Sequence, residues 1–118
     1  MEEGYEQKLL RSTRTFLPRW QNVALRVDSH GPSLSHLRIV LSRGASPSSE
    51  NLTIAVDPLW WHGPFELDDA ALSVELIDAR SSEAARLARH EQVFRIIDRT
   101  SGLTCLTEWL GVKENVRR

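Results

Sequence analysis

The chain has 118 residues, 41% of them hydrophobic and 26% charged, with a formal net charge of −1. That length and balance suit a single core and exclude the Pro/Gly/Ser-rich composition of a disordered chain. No apolar run reaches the roughly 18 residues that a membrane-crossing helix needs, and Cys105 is the lone cysteine, which excludes an intrachain disulfide, a Cys-x-x-Cys redox pair and a cysteine-based zinc site.

The residues from Met1 to Glu6 lack the basic start and apolar stretch of a signal peptide, so a cytoplasmic protein is expected. One domain spans 1–118, with 1–4 and 113–118 expected to fray.

Tyr5, Leu9 or Leu10, Phe16 and Leu17 recur at helical spacing, with Lys8, Arg11 and Arg14 on other faces. This predicts an amphipathic helix that stops near Leu17, because Pro18 disfavours helical geometry in the residue before it. From Val23 the period changes to two. Val23, Leu25 and Val27 alternate with Ala24, Arg26 and Asp28, and Leu37, Ile39 and Leu41 resume the pattern after the turn-forming His30-Gly31-Pro32-Ser33. A β-hairpin is predicted.

The small, polar stretch from Gly44 to Glu50 predicts a surface loop. Leu52, Ile54 and Val56 predict a third strand, and Leu72, Val74 and Leu76 a fourth, with a tryptophan-bearing loop between them. Ser81 or Ser82 can cap a short helix running to Arg89. Val93 to Asp98 is rich in strand-forming residues, Thr100-Ser101-Gly102 supplies a turn, and Leu103, Cys105, Thr107 and Trp109 would share one face of a returning strand. A helix from Thr104 to Leu110 also fits the spacing, and the threonines favour strand. Trp20 and Trp109 are expected in the core.

The fold class expected is therefore α+β, a mostly antiparallel sheet of about five to six strands. An N-terminal helix and one further helix would pack on it, in the order α-β-β-β-β-α-β-β.

The small net charge hides a segregation: residues 1–43 carry +3, residues 44–79 carry −7 with no lysine or arginine, and residues 80–118 carry +3. Within the acidic part lies Asp57-Pro-Leu-Trp-Trp-His-Gly-Pro-Phe65. Adjacent Trp60 and Trp61 face opposite sides if extended, so one small core can hardly hold both. Tryptophan is enriched among the side chains that dominate interfaces, and a dense set of carboxylates steers a basic partner.

The expectation is a non-enzymatic interaction module whose acidic region, 50–78, binds a basic protein surface. Small immunity and inhibitor proteins bind in this way. The partner-binding residues would be Asp57, Trp60, Trp61, His62, Phe65, Glu66, Asp68 and Asp69. The protein's own basic surface, in a homo-oligomer, is an alternative target.

Two other readings use the same residues. His62 with Asp57, Glu66, Asp68 or Asp69 could serve a small metal-assisted hydrolase, with His62 and Asp68 as metal candidates. Trp60, Trp61 and Phe65 could instead line a small-ligand pocket. No phosphate-binding glycine loop, nucleophile elbow or His-Glu-x-x-His occurs, and no cofactor is expected. Lys8, Arg11, Arg14 and Arg19 lie on or beside one helix, but the negative total charge argues against nucleic acid.

Overall fold

The computed structural model describes residues 4–29, 37–43, 50–81, 88 and 91–116. Helix α1 spans Tyr5–Phe16 and runs into a 3-10 turn, Leu17–Trp20, with Pro18 in its first positions, where a missing amide costs nothing. Strands follow at Val23–Ser29 (β1), Leu37–Ser42 (β2), Asn51–His62 (β3), Glu66–Ala70 (β4), Leu72–Asp78 (β5), Gln92–Asp98 (β6) and Thr104–Asn115 (β7). Every pairing between them is antiparallel.

The strand order across the sheet is β4-β1-β2-β3-β7-β6-β5. Its two margins, β4 and β5, are consecutive in the chain and joined by Ala71 alone. In a flat sheet, strands about 4.8 Å apart would put these margins about 29 Å from each other. Two successive residues span at most about 7 Å. The sheet must therefore curl until its margins approach, and it forms a half-barrel with α1 packed against β5 and β7.

The long β3/β7 ribbon is irregular at its middle. The first half of β3 lies between β2 and the end of β7, while its second half pairs with the start of β7, from Pro58↔Thr107 to His62↔Thr104. Register shifts between Val56 and Pro58, and again between Pro58 and Trp60, bend the ribbon there. Pro58, which has no amide to donate, is tolerated at such a break. The buried Thr107 hydroxyl supplies what the ladder loses. It accepts the Asp57 amide at 3.1 Å and the Trp109 amide at 3.3 Å, and it donates to the Trp109 carbonyl at 2.6 Å.

Inside the curl, Leu10, Leu17 and Trp20 meet Leu25, Ile39, Leu41, Leu52, Ile54, Val56, Phe94, Ile96, Cys105 and Leu110 in one core. A smaller cluster, Ala79, Val93 and Leu106 with Leu59, Ile77 and Ala88, sits on the outer face. The margins are also pinned. Asp98, 1% exposed, accepts the Ala71 amide at 2.8 Å and the Ser101 amide at 2.9 Å. Arg14 of α1 forks onto the Val74 carbonyl at 3.2 and 3.1 Å, and Gln21 reaches the Leu72 carbonyl at 3.1 Å.

The α+β class and the antiparallel sheet agree with the sequence reading, but three details are corrected. Among the described residues the sheet has seven strands rather than five to six. β3 continues past Pro58 to His62, and Glu66–Ala70 is a strand of its own, so the segment between the third and fourth expected strands is largely sheet and not loop. The predicted order, with a second helix after the fourth strand, is replaced by α1 and seven strands. Only a 3-10 turn, Ala79–Ser81, is seen where that helix would begin, and α1 is the one α-helix among the described residues. The rest of that predicted helix, apart from Ala88, which is not helical, lies outside the described residues, as do residues 44–49 of the predicted loop and the turn predicted at 30–33.

Residues 104–110 are strand and not helix, since β7 runs from Thr104 to Asn115, with Leu103 just before it. Trp109, expected in the core, is 39% exposed. Thr107 and Leu110 are both buried although three apart, so the irregularity between them shifts the inward parity and turns Trp109 out. Its ring lies over Gly111, where an added Cβ would come within 3.1 Å of it. Trp20, by contrast, is fully buried and donates its indole N–H to Glu114 at 2.8 Å.

Candidate functional site

The candidate residues occupy the second half of β3, the three-residue link 63–65 and β4. Adjacent residues on β3 take opposite faces, as the cross-strand partners confirm. Trp61 sits opposite Cys105 of the main core, and Trp60 opposite Leu106 of the outer cluster. Trp61 packs partly buried against the main core, stacks on Phe65 at 5.3 Å between ring centroids, and donates its indole N–H to the Gly63 carbonyl at 3.1 Å. Trp60 is 40% exposed and stacks on His62 at 5.7 Å with the rings 9° apart. Trp60 and Trp61 therefore cannot wall one pocket together.

The link is set by Gly63, whose φ of 121° and close approach to Leu103 leave no room for a side chain: a Cβ would lie 2.7 Å from the Leu103 Cα. Phe65, 53% exposed, is the last residue of the link before β4.

On β4, Leu67 pairs with Leu25 and Ala70 with Val23. Three steps on β4 thus oppose two on β1, and the extra residue makes a bulge. Leu67 packs on the core and Ala70 is buried within it, so the bulge leaves Asp68 and Asp69 both exposed, on the outer side. An unbroken strand would have sent them to opposite faces.

The seven carboxylates of the acidic segment do not act as one. Glu50 pairs with Arg43 at 3.4 Å, Glu75 pairs with Arg95 across β5 and β6, and Asp78 accepts the Arg80 amide at 2.9 Å. Asp57 is exposed at the β3 break, with its backbone held by Thr107. Glu66, Asp68 and Asp69 are exposed, and among the described residues none has an ion-pair or hydrogen-bond partner. They concentrate the negative charge on one margin of the sheet.

No group of three His, Cys, Asp or Glu side chains that could hold a metal ion exists among the described residues, so His62 and Asp68 are not brought into such a group. Cys105 is buried, and burial pushes its thiol up to about 12, which leaves it inert as a nucleophile. The basic residues considered for nucleic acid are largely engaged: Arg14 on β5, and Arg19 with Glu114 at 3.3 Å.

Trp109 joins Trp60 as an exposed tryptophan on the outer face of the β3/β7 ribbon, an addition the sequence reading missed. Its one signal was Gly111 two residues on, a gap in the strand that a large ring covers.

Comparison with known proteins gives no match among family models, curated proteins or solved structures. No helix among the described residues is long and apolar enough to cross a membrane.

Proposed function

We propose that this chain is a non-enzymatic protein-interaction module of the cytoplasm, which binds the basic surface of another protein through the end of β3 and through β4. One observation carries the reading: exposed aromatic rings, Trp60 and Phe65, are followed by three exposed carboxylates that have no partner among the described residues, Glu66, Asp68 and Asp69, on one continuous strand-link-strand segment. Unpaired carboxylates raise the encounter rate with a cationic surface and orient it, and large rings supply contact area at small rotamer cost. Trp61 serves as the support that holds Phe65 in place, and Asp57 and His62 border the contact.

The test is cross-linking in the native cell from a photoreactive residue at position 60 or 65, followed by titration with the purified partner. Binding should weaken as salt rises, and by about tenfold in Trp60→Ala, as for a central aromatic contact. Binding that is indifferent to salt and to Trp60→Ala sinks the reading.

A further inference from the structure

We infer that the outer edge of β4 receives an extended, lysine- or arginine-bearing segment of the partner, which adds to the sheet as a further strand. This rests on the interaction reading above and names the manner of engagement.

The two margins of the sheet are treated differently. On β5 the Val74 and Leu72 carbonyls are occupied by Arg14 and Gln21, so side chains cap the first part of that edge. On β4, among the described residues, no side chain bonds to the backbone of residues 66–69, and no strand lies beyond it. Inward bonds at its two ends, Val27 N–H to the Phe65 carbonyl at 2.9 Å and Asn22 N–H to the Ala70 carbonyl at 2.8 Å, fix which side faces β1. Strand alternation then turns the Glu66 amide and carbonyl to the open side. An open edge is a template for another strand.

Charge selects the occupant. Glu66, Asp68 and Asp69 of a second copy would face their equivalents in β4-to-β4 pairing, and like charges opposite one another repel. A neutral strand gains nothing from them. A strand with alternate cationic side chains sets those charges against the carboxylates, so shortness, bulge and charge discriminate against some strands and favour others. Phe65, immediately before β4, offers apolar contact where the added strand would end.

The probe is a short peptide of alternating lysine and threonine, with two versions of equal charge, one N-methylated at every lysine and the other at every threonine. Methylation blocks one hydrogen-bonding edge of an extended peptide and leaves the other free. One methylated peptide should bind like the parent and the other about tenfold more weakly or worse. Amide exchange of residues 66–69 should slow with the parent peptide. Asp68→Lys with Asp69→Lys, both at exposed positions outside the core, should lose the lysine peptide and take a glutamate/threonine one.

Equal binding of both methylated peptides, abolished by Trp60→Ala, would overturn strand addition while the interaction reading survives. No binding of the parent peptide overturns it as well. Slowed exchange of residues 66–69 on self-association of the protein alone would put a second copy on this edge and likewise overturn it. The interaction reading falls only on its own cross-linking test.

Discussion

The Asp98 carboxylate accepts the Ala71 amide at 2.8 Å across 27 residues of sequence, and so ties the junction of the two sheet margins to the turn between β6 and β7. Burial opposes its ionisation, but hydrogen bonds from the Ser101 side chain and from the Ala71 and Ser101 amides outweigh that and hold its pKa below the usual carboxylate value.

Asp98→Ala should cost about 3 kcal/mol in urea denaturation at neutral pH, since two buried amides lose a charged acceptor. The sign of the pH dependence follows from the lowered pKa. The stabilisation is present above the unfolded value of about 3.9 and is lost as pH falls through the lower folded value. The stability difference between wild type and Asp98→Asn should therefore shrink as pH falls below about 4. A difference that stays constant down to acid pH would show that the carboxylate charge is not what holds Ala71.

Thr107→Val preserves shape and removes the hydroxyl that serves the Asp57 and Trp109 amides. A loss of about 1–3 kcal/mol is expected, the cost of buried groups left unpaired. Amide exchange at positions 57 and 109 should quicken, and Thr107→Ser should restore most of the protection.

Two glycines separate crowding from backbone preference. Gly63→Ala meets both the Leu103 backbone and a φ of 121°, whereas Gly102→Ala meets only a φ of 79° with open space around it. Thermal melts should show a loss of about 3 kcal/mol for the first and about 1 kcal/mol for the second. Equal losses would mean that the Leu103 contact relaxes freely.

The adjacent tryptophans should divide by phenotype. Trp61→Ala removes a ring packed against the main core and stacked on Phe65, and should cost about 3 kcal/mol of stability. Trp60→Ala should cost about 1 kcal/mol or less, since so much of the ring already meets solvent. A Trp60→Ala protein that unfolds would remove Trp60 from the binding argument.

Arg14→Ala bares the Val74 carbonyl on the β5 edge. Beyond a loss of about 1–3 kcal/mol, it should promote concentration-dependent self-association by sedimentation velocity, because an uncapped edge accepts strands. Arg14→Lys, which cannot fork, should restore the cap only in part.

Much of the sheet was legible as period-two alternation: Val23 to Val27, Leu37 to Leu41, Leu52 to Val56 and Leu72 to Leu76 all lie in strands with the expected inward faces, and Val93 to Asp98 lies in a strand as its composition suggested. The misreadings fall where that period breaks. Pro58 reads as a turn residue, yet it sits at a register shift inside β3. Asp68 and Asp69 have poor strand propensity and share a bulge, so β4 exists because β1 pairs with it and not because its own residues favour extension. The irregularity beside Thr107 turned Trp109 outward by the same means. At the candidate site, the residue types and their segment were visible in the sequence. Which tryptophan faces out depended on the β3/β7 register, and which of the seven carboxylates find a cation among the described residues depended on partners such as Arg43 and Arg95 in other parts of the chain.

The one-residue join at Ala71 makes the two margins a single mechanical element. A force that draws β4 away from β1 passes through Ala71 to β5 and to the Asp98 clasp. Tension at one lip of the half-barrel therefore reaches the turn at residues 99–102, which joins β6 and β7 in the other half of the strand order.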